Sequence, residues 1–207
     1  MRNRTWLAVV AGVAVVAVAV QFQIARSQEA KAKAMQKKAA AAGDHAGMSS
    51  KVTYAIAMVE GHGEHKVKGK VTFTQTGDGV EIVGEFTGLQ PGKHGFHVHE
   101  FGDCSMADGK CAGGHFNPTG MPHGGPDDAK RHVGDLGNIK ADDSGKATYK
   151  RVDKLISLNG SNSIIGRSVI VHAKADDFKT QQPPGNAGDR IGCGTIGIAD
   201  PKMQMAH

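Results

Sequence analysis

The sequence from Lys51 onward predicts an all-β domain: an eight-stranded antiparallel Greek-key sandwich or flattened barrel. Three observations carry this. Apolar residues alternate with polar or β-branched ones at period two in one short segment after another. Turn-forming groups such as TGDG, residues 76–79, separate the segments. No stretch shows the spacing of an amphipathic helix.

The strand segments follow in order. KVTYAIAMVE, KVKGKVTFTQT and GVEIVGEFTGLQ open the series at residues 51–60, 66–76 and 79–90. GFHVHEFG at 95–102 is the fourth, and successive strand side chains point to opposite faces. Phe96 and Val98 therefore share a core face, and His97 and His99 share the other. HVGDLGNIKA, GKATYKRV, SVIVHAKA and GCGTIGIA complete the set. Two connections, from Gly102 to Arg131 and from Asp176 to Gly192, have no strand character. Loops of that length in a compact domain are usually functional.

The chain has 207 residues, enough for one domain with extensions. Of its 25 Lys and Arg and 20 Asp and Glu, seven and two fall before Lys51, which leaves 18 and 18. The positive charge is therefore confined to the N-terminal segment, and the domain itself is not built for nucleic acid. Residues 1–24 read as a signal peptide or signal anchor: Arg2 and Arg4 precede an uncharged run from Trp6 to Ile24. Ala17–Ala19 offers a small-residue cleavage site, and no cysteine near the run suggests a lipid anchor. Residues 25–50, rich in Ala, Lys and Gln, read as a linker; residues 51–200 as the domain; residues 201–207 as a tail. The expected location is outside the cytoplasm, periplasmic or extracellular, with a membrane tether as the alternative to cleavage.

The histidines cluster around the long connections. His115 stands in GGHFNP, His123 in MPHGGP, His132 in KRHVGDLG with Asp135 three residues on, and His172 at the end of an apolar strand. With His97 and His99 these make six imidazoles and one carboxylate. Imidazole binds both copper and zinc, whereas a carboxylate suits zinc and disfavours Cu(I). Seven ligands exceed one tetrahedral site, so two adjacent metals are the economical reading.

GFHVHEFGD, GGHFNP, HGGP, RHVGDLGN, IIGRSVIVHAKADD and GNAGDRIGCGTIGIA closely resemble the copper/zinc superoxide dismutase family, in its bacterial exported type, over Lys51 to Asp200. The resemblance implies copper on His97, His99, His115 and His172, and zinc on His115, His123, His132 and Asp135, with His115 shared. It implies that Asp176 joins a copper histidine to a zinc histidine, that Arg190 guides the anion, and that His94 is structural. It also implies catalysis by His115 and Arg190: copper cycles between Cu(II) and Cu(I), and superoxide becomes dioxygen and hydrogen peroxide. The alternative is a non-enzymatic copper/zinc-binding or copper-delivery protein on the same fold. Such proteins usually lose a ligand or the arginine, and this chain retains them all. The expected partners are superoxide and, left open, a membrane and a second copy of the chain.

The family joins a loop cysteine to one just after the arginine, here Cys193. Cys104 and Cys111 compete for that bond, and the resemblance favours Cys104. Cys111 would then be a free thiol, an intermolecular link or an extra copper contact. Two departures stand out. DDFKTQQPPGNAGDR, residues 176–190, is shorter than in the animal members of that family, lacks their acidic pair and carries Pro183 and Pro184. The tail holds Met203, Met205 and His207, side chains that can collect Cu(I).

Overall fold

Eight strands form where the alternation marks them in the computed structural model, which describes residues 51–202 and six residues between 26 and 33. They are β1 (Tyr54–Gly61), β2 (Lys68–Gln75), β3 (Val80–Thr87), β4 (Gly92–His99), β5 (Asp135–Ala141), β6 (Ala147–Asp153), β7 (Ser168–His172) and β8 (Arg190–Ile198). All pairs are antiparallel, and the sheet closes in the order β1-β2-β3-β6-β5-β4-β7-β8. The chain leaves β3 to start β4 beyond two intervening strands, β6 and β5, and leaves β6 to start β7 beyond β5 and β4, which is the Greek-key crossing. Closure removes the unpaired edges that an open sheet would present.

The period-two pattern sorts the side chains. Val71, Phe73, Val80, Ile82, Phe86, Phe96, Val98, Ile139 and Val171 line one continuous core. Phe96 sits at its centre, edge-on to Phe86 at 5.5 Å and to Tyr149 at 5.2 Å between ring centroids. Burying one such ring contributes roughly 1.5–3 kcal/mol. Tyr149 keeps its polar end satisfied by donating to the Leu136 carbonyl at 2.8 Å.

Some boundaries differ from the sequence reading. β4 begins at Gly92, because Gly92 to Gly95 pair with Ala141 to Asn138 of β5. β5 begins only at Asp135, because the chain from His132 serves the site described below. β7 stops at His172, where its register against β8 shifts. The connection after β4 also contains one short 3-10 turn, Lys110–Ala112.

Cys104 is bonded to Cys193, with the Cα atoms 5.8 Å apart, and Cys111 is free. The bond ties the connection after β4 to β8 across a separation of 89 residues. A loop of that size gives about 4.6 kcal/mol in the chain-entropy account.

Arg26, Ser27, Glu29, Ala30, Lys31 and Lys33 are helical and exposed. The signal segment 1–24, most of the linker 25–50 and Met203, Met205 and His207 lie outside the described residues. Among the described residues no helix is long and apolar enough to cross a membrane.

Candidate metal centre

The strand β4 delivers His97 and His99, and β7 delivers His172 from the neighbouring strand. His115 is drawn to the same place by an isolated bridge to His99. Ligand atoms of His97, His99, His115 and His172 lie within 4.8 Å of one another. His115, His123, His132 and Asp135 form a second group under the same limit, and His115 belongs to both. The structure thus assembles all seven side chains that the sequence singled out.

The hydrogen bonds fix which ring nitrogens face inward. His99 Nδ1 lies 3.1 Å from the Gly113 carbonyl, and His172 Nδ1 lies 3.2 Å from the Gly188 carbonyl. A carbonyl only accepts, so each Nδ1 carries the proton and each Nε2 is a lone pair. Those two Nε2 atoms face each other at 3.4 Å. His97 Nε2 lies 2.6 Å from Asp176 Oδ2, which leaves a buried Nδ1 with no partner. Two lone pairs therefore face each other beside the unpartnered His97 Nδ1, an arrangement that a bound metal cation would satisfy. Burial, and then the neighbouring histidines, push His99 and His172 well below the ordinary imidazole range. His115 is pushed down to about 3, by burial first and then by His97. His99, His115 and His172 are therefore neutral imidazoles held ready for a metal.

The second half is built around a carboxylate. Asp135 Oδ1 lies 2.8 Å from His115 Nδ1 and 3.2 Å from His132 Nδ1. Its Oδ2 accepts the backbone N–H groups of Gly124 at 3.1 Å and His132 at 2.9 Å. His123 Nδ1 is 3.1 Å from Asp135 Oδ1 but makes no aligned hydrogen bond. Burial would raise Asp135, but its close contacts with the His115, His123 and His132 rings outweigh it and hold the group ionised. Burial would lower His123, but the Asp135 and Asp176 carboxylates against its ring push it up to about 9. Two carboxylates make this half attractive to a cation.

Asp176 joins the halves: Oδ2 meets His97 Nε2 and Oδ1 meets His123 Nε2 at 3.0 Å. Fixing the far nitrogen of a ligand histidine in this way sets the tautomer and the ring direction. The nitrogen and oxygen donors fit the metals the sequence suggests, an all-imidazole set for copper and a His/Asp set for zinc.

Arg190, half-buried at the start of β8, donates from Nη1 to the Gly109 carbonyl at 2.6 Å and from Nη2 to the Gly113 carbonyl at 2.7 Å. The Gly113 carbonyl that orients His99 also anchors Arg190. Gly109, at φ 65°, takes a backbone shape that suits glycine, and a Cβ there would press on Arg190 and on the His62 ring.

The sequence model of the family described as copper/zinc superoxide dismutase (SODC) matches residues 67–196. The chain belongs to the copper/zinc superoxide dismutase family. A superoxide dismutase (Cu-Zn) of Paramecium bursaria Chlorella virus 1 is 50% identical over 159 residues, which is 72% of this chain and 81% of that protein. The crystal structure of the clock protein EA4 is 46% identical with a TM-score of 0.67, and the match covers 73% of this chain and 98% of that one. This member of the family is a superoxide-dismutating enzyme with copper and zinc as its cofactors.

Other residues of this dismutase hold the site, and Arg131 and Asn138 among them drew no notice in the sequence. His94, read as structural, spans the carbonyls of His172 and Gln90 at 2.8 Å each and joins neither group. Arg131 is buried against Asp153 at 2.6 Å and donates to the carbonyls of His132, Val133 and Asp135. Asn138 grips the backbone of Asp176 from both sides, at 2.7 and 3.0 Å. A buried arginine and an asparagine look like surface residues in a sequence; only their partners reveal them. Cys111 Sγ donates to the Asp103 carbonyl at 3.0 Å and belongs to neither metal group.

Proposed function

We propose that copper binds His97, His99, His115 and His172, that zinc binds His115, His123, His132 and Asp135, and that His115 bridges them. The observation that carries this is the pair of facing Nε2 lone pairs of His99 and His172 beside the orphaned Nδ1 of His97. Bound there, copper supplies the one-electron Cu(II)/Cu(I) couple that oxidises one superoxide and reduces the next, while zinc supplies a fixed positive charge. The balance is two superoxide anions and two protons to one dioxygen and one hydrogen peroxide.

The residues divide the remaining work. Arg190 docks the anion: a guanidinium has five donors, and two of its nitrogens are already steadied by carbonyls. Burial lowers its pKa, yet a guanidinium stays charged at any working pH. His115 uses Nδ1 toward Asp135, so Nε2 is the atom free to hold a proton and deliver it to the reduced substrate. Asp176 keeps the His97 and His123 rings from turning. The strand β4 keeps His97 and His99 at a fixed spacing, so these ligands would need little rearrangement when a copper ion held there changed charge.

Metal analysis and a superoxide-dismutation assay on the full chain test the assignment. His97→Ala should lose copper and activity and keep zinc. Full copper retention in that variant would sink the copper set.

We also propose a homodimer, supported by exposed apolar side chains: Met58 on β1, Phe101 just after β4 and Ile198 at the end of β8 are each more than half exposed, and large exposed apolar side chains favour a partner surface. Sedimentation equilibrium reads the outcome, and a monomer at all concentrations rejects it. Export of the bacterial type, with residues 1–24 as signal or tether, is supported by the basic start, the uncharged run and the disulfide. Cell fractionation with N-terminal sequencing tests it; a cytoplasmic pool that retains Met1 rejects it.

A further inference from the structure

The two long connections meet at His123. Residues 117–124 have no regular structure, so the backbone groups of His123 need partners from elsewhere. Both come from one side chain 58 residues away. Gln181 Oε1 accepts the His123 N–H at 2.8 Å, and Gln181 Nε2 donates to the His123 carbonyl at 3.0 Å. Among the described residues no other hydrogen bond engages either group. A primary amide thus imitates the backbone of an adjacent strand.

Gln181 is itself held in place. Asp177 accepts from the Thr180 hydroxyl at 2.6 Å and from the Thr180 N–H at 2.8 Å. The Gly185 N–H donates to the Thr180 carbonyl at 2.8 Å, and the Asp177 N–H donates to the Gly185 carbonyl at 2.9 Å. Gln181 Nε2 also donates to the Lys179 carbonyl at 3.1 Å. The same connection supplies Asp176, which holds the other end of the same residue at the ring Nε2. His123 is therefore gripped at the backbone and at the ring by side chains five positions apart. The direction of a side chain follows from its backbone, so the Gln181 amide determines where His123 Nδ1 points.

We propose that Gln181 is a positioning residue for the zinc site: its amide fixes the His123 backbone and latches the short connection carrying Asp176 and Arg190 to the zinc-binding connection. The proposal rests on the reading of His123 as a zinc ligand. This latch gives the short DDFKTQQPPGNAGDR segment a second anchor beside Asp176, and it uses the QQPP stretch that the dismutation chemistry leaves unassigned.

The test uses the full chain, loaded with copper and zinc, and chelator competition for zinc. Gln181→Leu keeps the bulk of the side chain and removes both bonds. It should weaken zinc binding about tenfold, the lower end of the effect seen when residues behind metal ligands are replaced. Cobalt placed in the zinc site should show a shifted visible spectrum in this variant. A residue that merely stiffened the fold would leave that spectrum unchanged. Gln182→Leu, at the exposed neighbour, should match the unaltered protein in both readouts. If the Leu variant fails to fold, Gln181→Glu is read instead; it keeps the acceptor for the His123 N–H, loses the donor to the carbonyl, and should still move the cobalt bands. Unaltered zinc affinity and unaltered cobalt bands in the variant that folds overturn the proposal. His123→Ala separates the two ideas. Full zinc binding there overturns the zinc assignment itself, whereas its loss beside an unaffected Gln181 variant overturns the latch alone.

Discussion

The two halves of the metal centre are built on different principles. Three of the four side chains of the copper half stand on paired strands, where register fixes their spacing: His97 lies opposite Ile170, and His99 opposite Ser168, in the β4–β7 ladder. The zinc half hangs on a connection with almost no regular structure and is stitched into place by Asp135, Arg131 and Gln181. The halves also differ in charge. One holds neutral imidazoles, two of them with facing lone pairs; the other holds a buried carboxylate and shares a second one through Asp176. On the proposed assignment, the redox metal would sit in a frame fixed by strand register, while the second metal would help to complete its own loop.

If that contrast is right, damage to the stitching should reach zinc first. The largest effect is expected from Asp153→Asn. It leaves the buried guanidinium of Arg131 without its partner and weakens the grip on three carbonyls of the zinc connection. Losing one side of a buried pair costs about 3–5 kcal/mol. Thermal denaturation should show a lower melting temperature, and hydrogen exchange should quicken over residues 117–134 before β4 and β7. Equal quickening in both regions would erase the distinction.

Next comes Asp135→Ala, which removes the non-histidine member of the zinc group and the acceptor of two backbone N–H groups. Zinc affinity should fall about 100-fold or more, beyond the range for residues that only support ligands. Copper stoichiometry should remain full, because no copper-half residue depends on Asp135 except the shared His115. Concurrent copper loss would show that the halves are not separable.

Arg190→Ile tests a residue that belongs to neither group. It should lower kcat/KM about tenfold with both metals retained, the size of effect expected when one charged docking contact is lost. Arg190→Lys should fall between the Ile variant and the unaltered enzyme, since a point charge attracts but does not fork. The smallest effect is that of salt. The rate of the unaltered enzyme should decline severalfold as ionic strength passes 0.1 M, where screening acts over roughly 10 Å. The Ile variant should respond less. Equal rates for unaltered and Ile enzymes at low salt would remove Arg190 from anion guidance.

The sequence by itself determined the parts whose signal is local. Alternation at period two follows from the geometry of an extended chain, so the eight strands were legible, and the two histidines of GFHVHE had to share a face. The donor chemistry was legible too, because residue type alone separates an imidazole set from one containing a carboxylate. The start of β4 at Gly92 was missed: what makes those residues a strand is pairing with β5, some 45 positions away. Only the closed barrel decided the contacts between distant residues. It chose Cys104 over Cys111 by bringing Cys104 to a Cα separation of 5.8 Å from Cys193. It put one carbonyl, that of Gly113, between His99 and Arg190, and it carried Gln181 to the backbone of His123. No local pattern encodes such contacts, because a backbone carbonyl has no residue type, and the reach of an amide depends on where two irregular connections are left when the strands beneath them close.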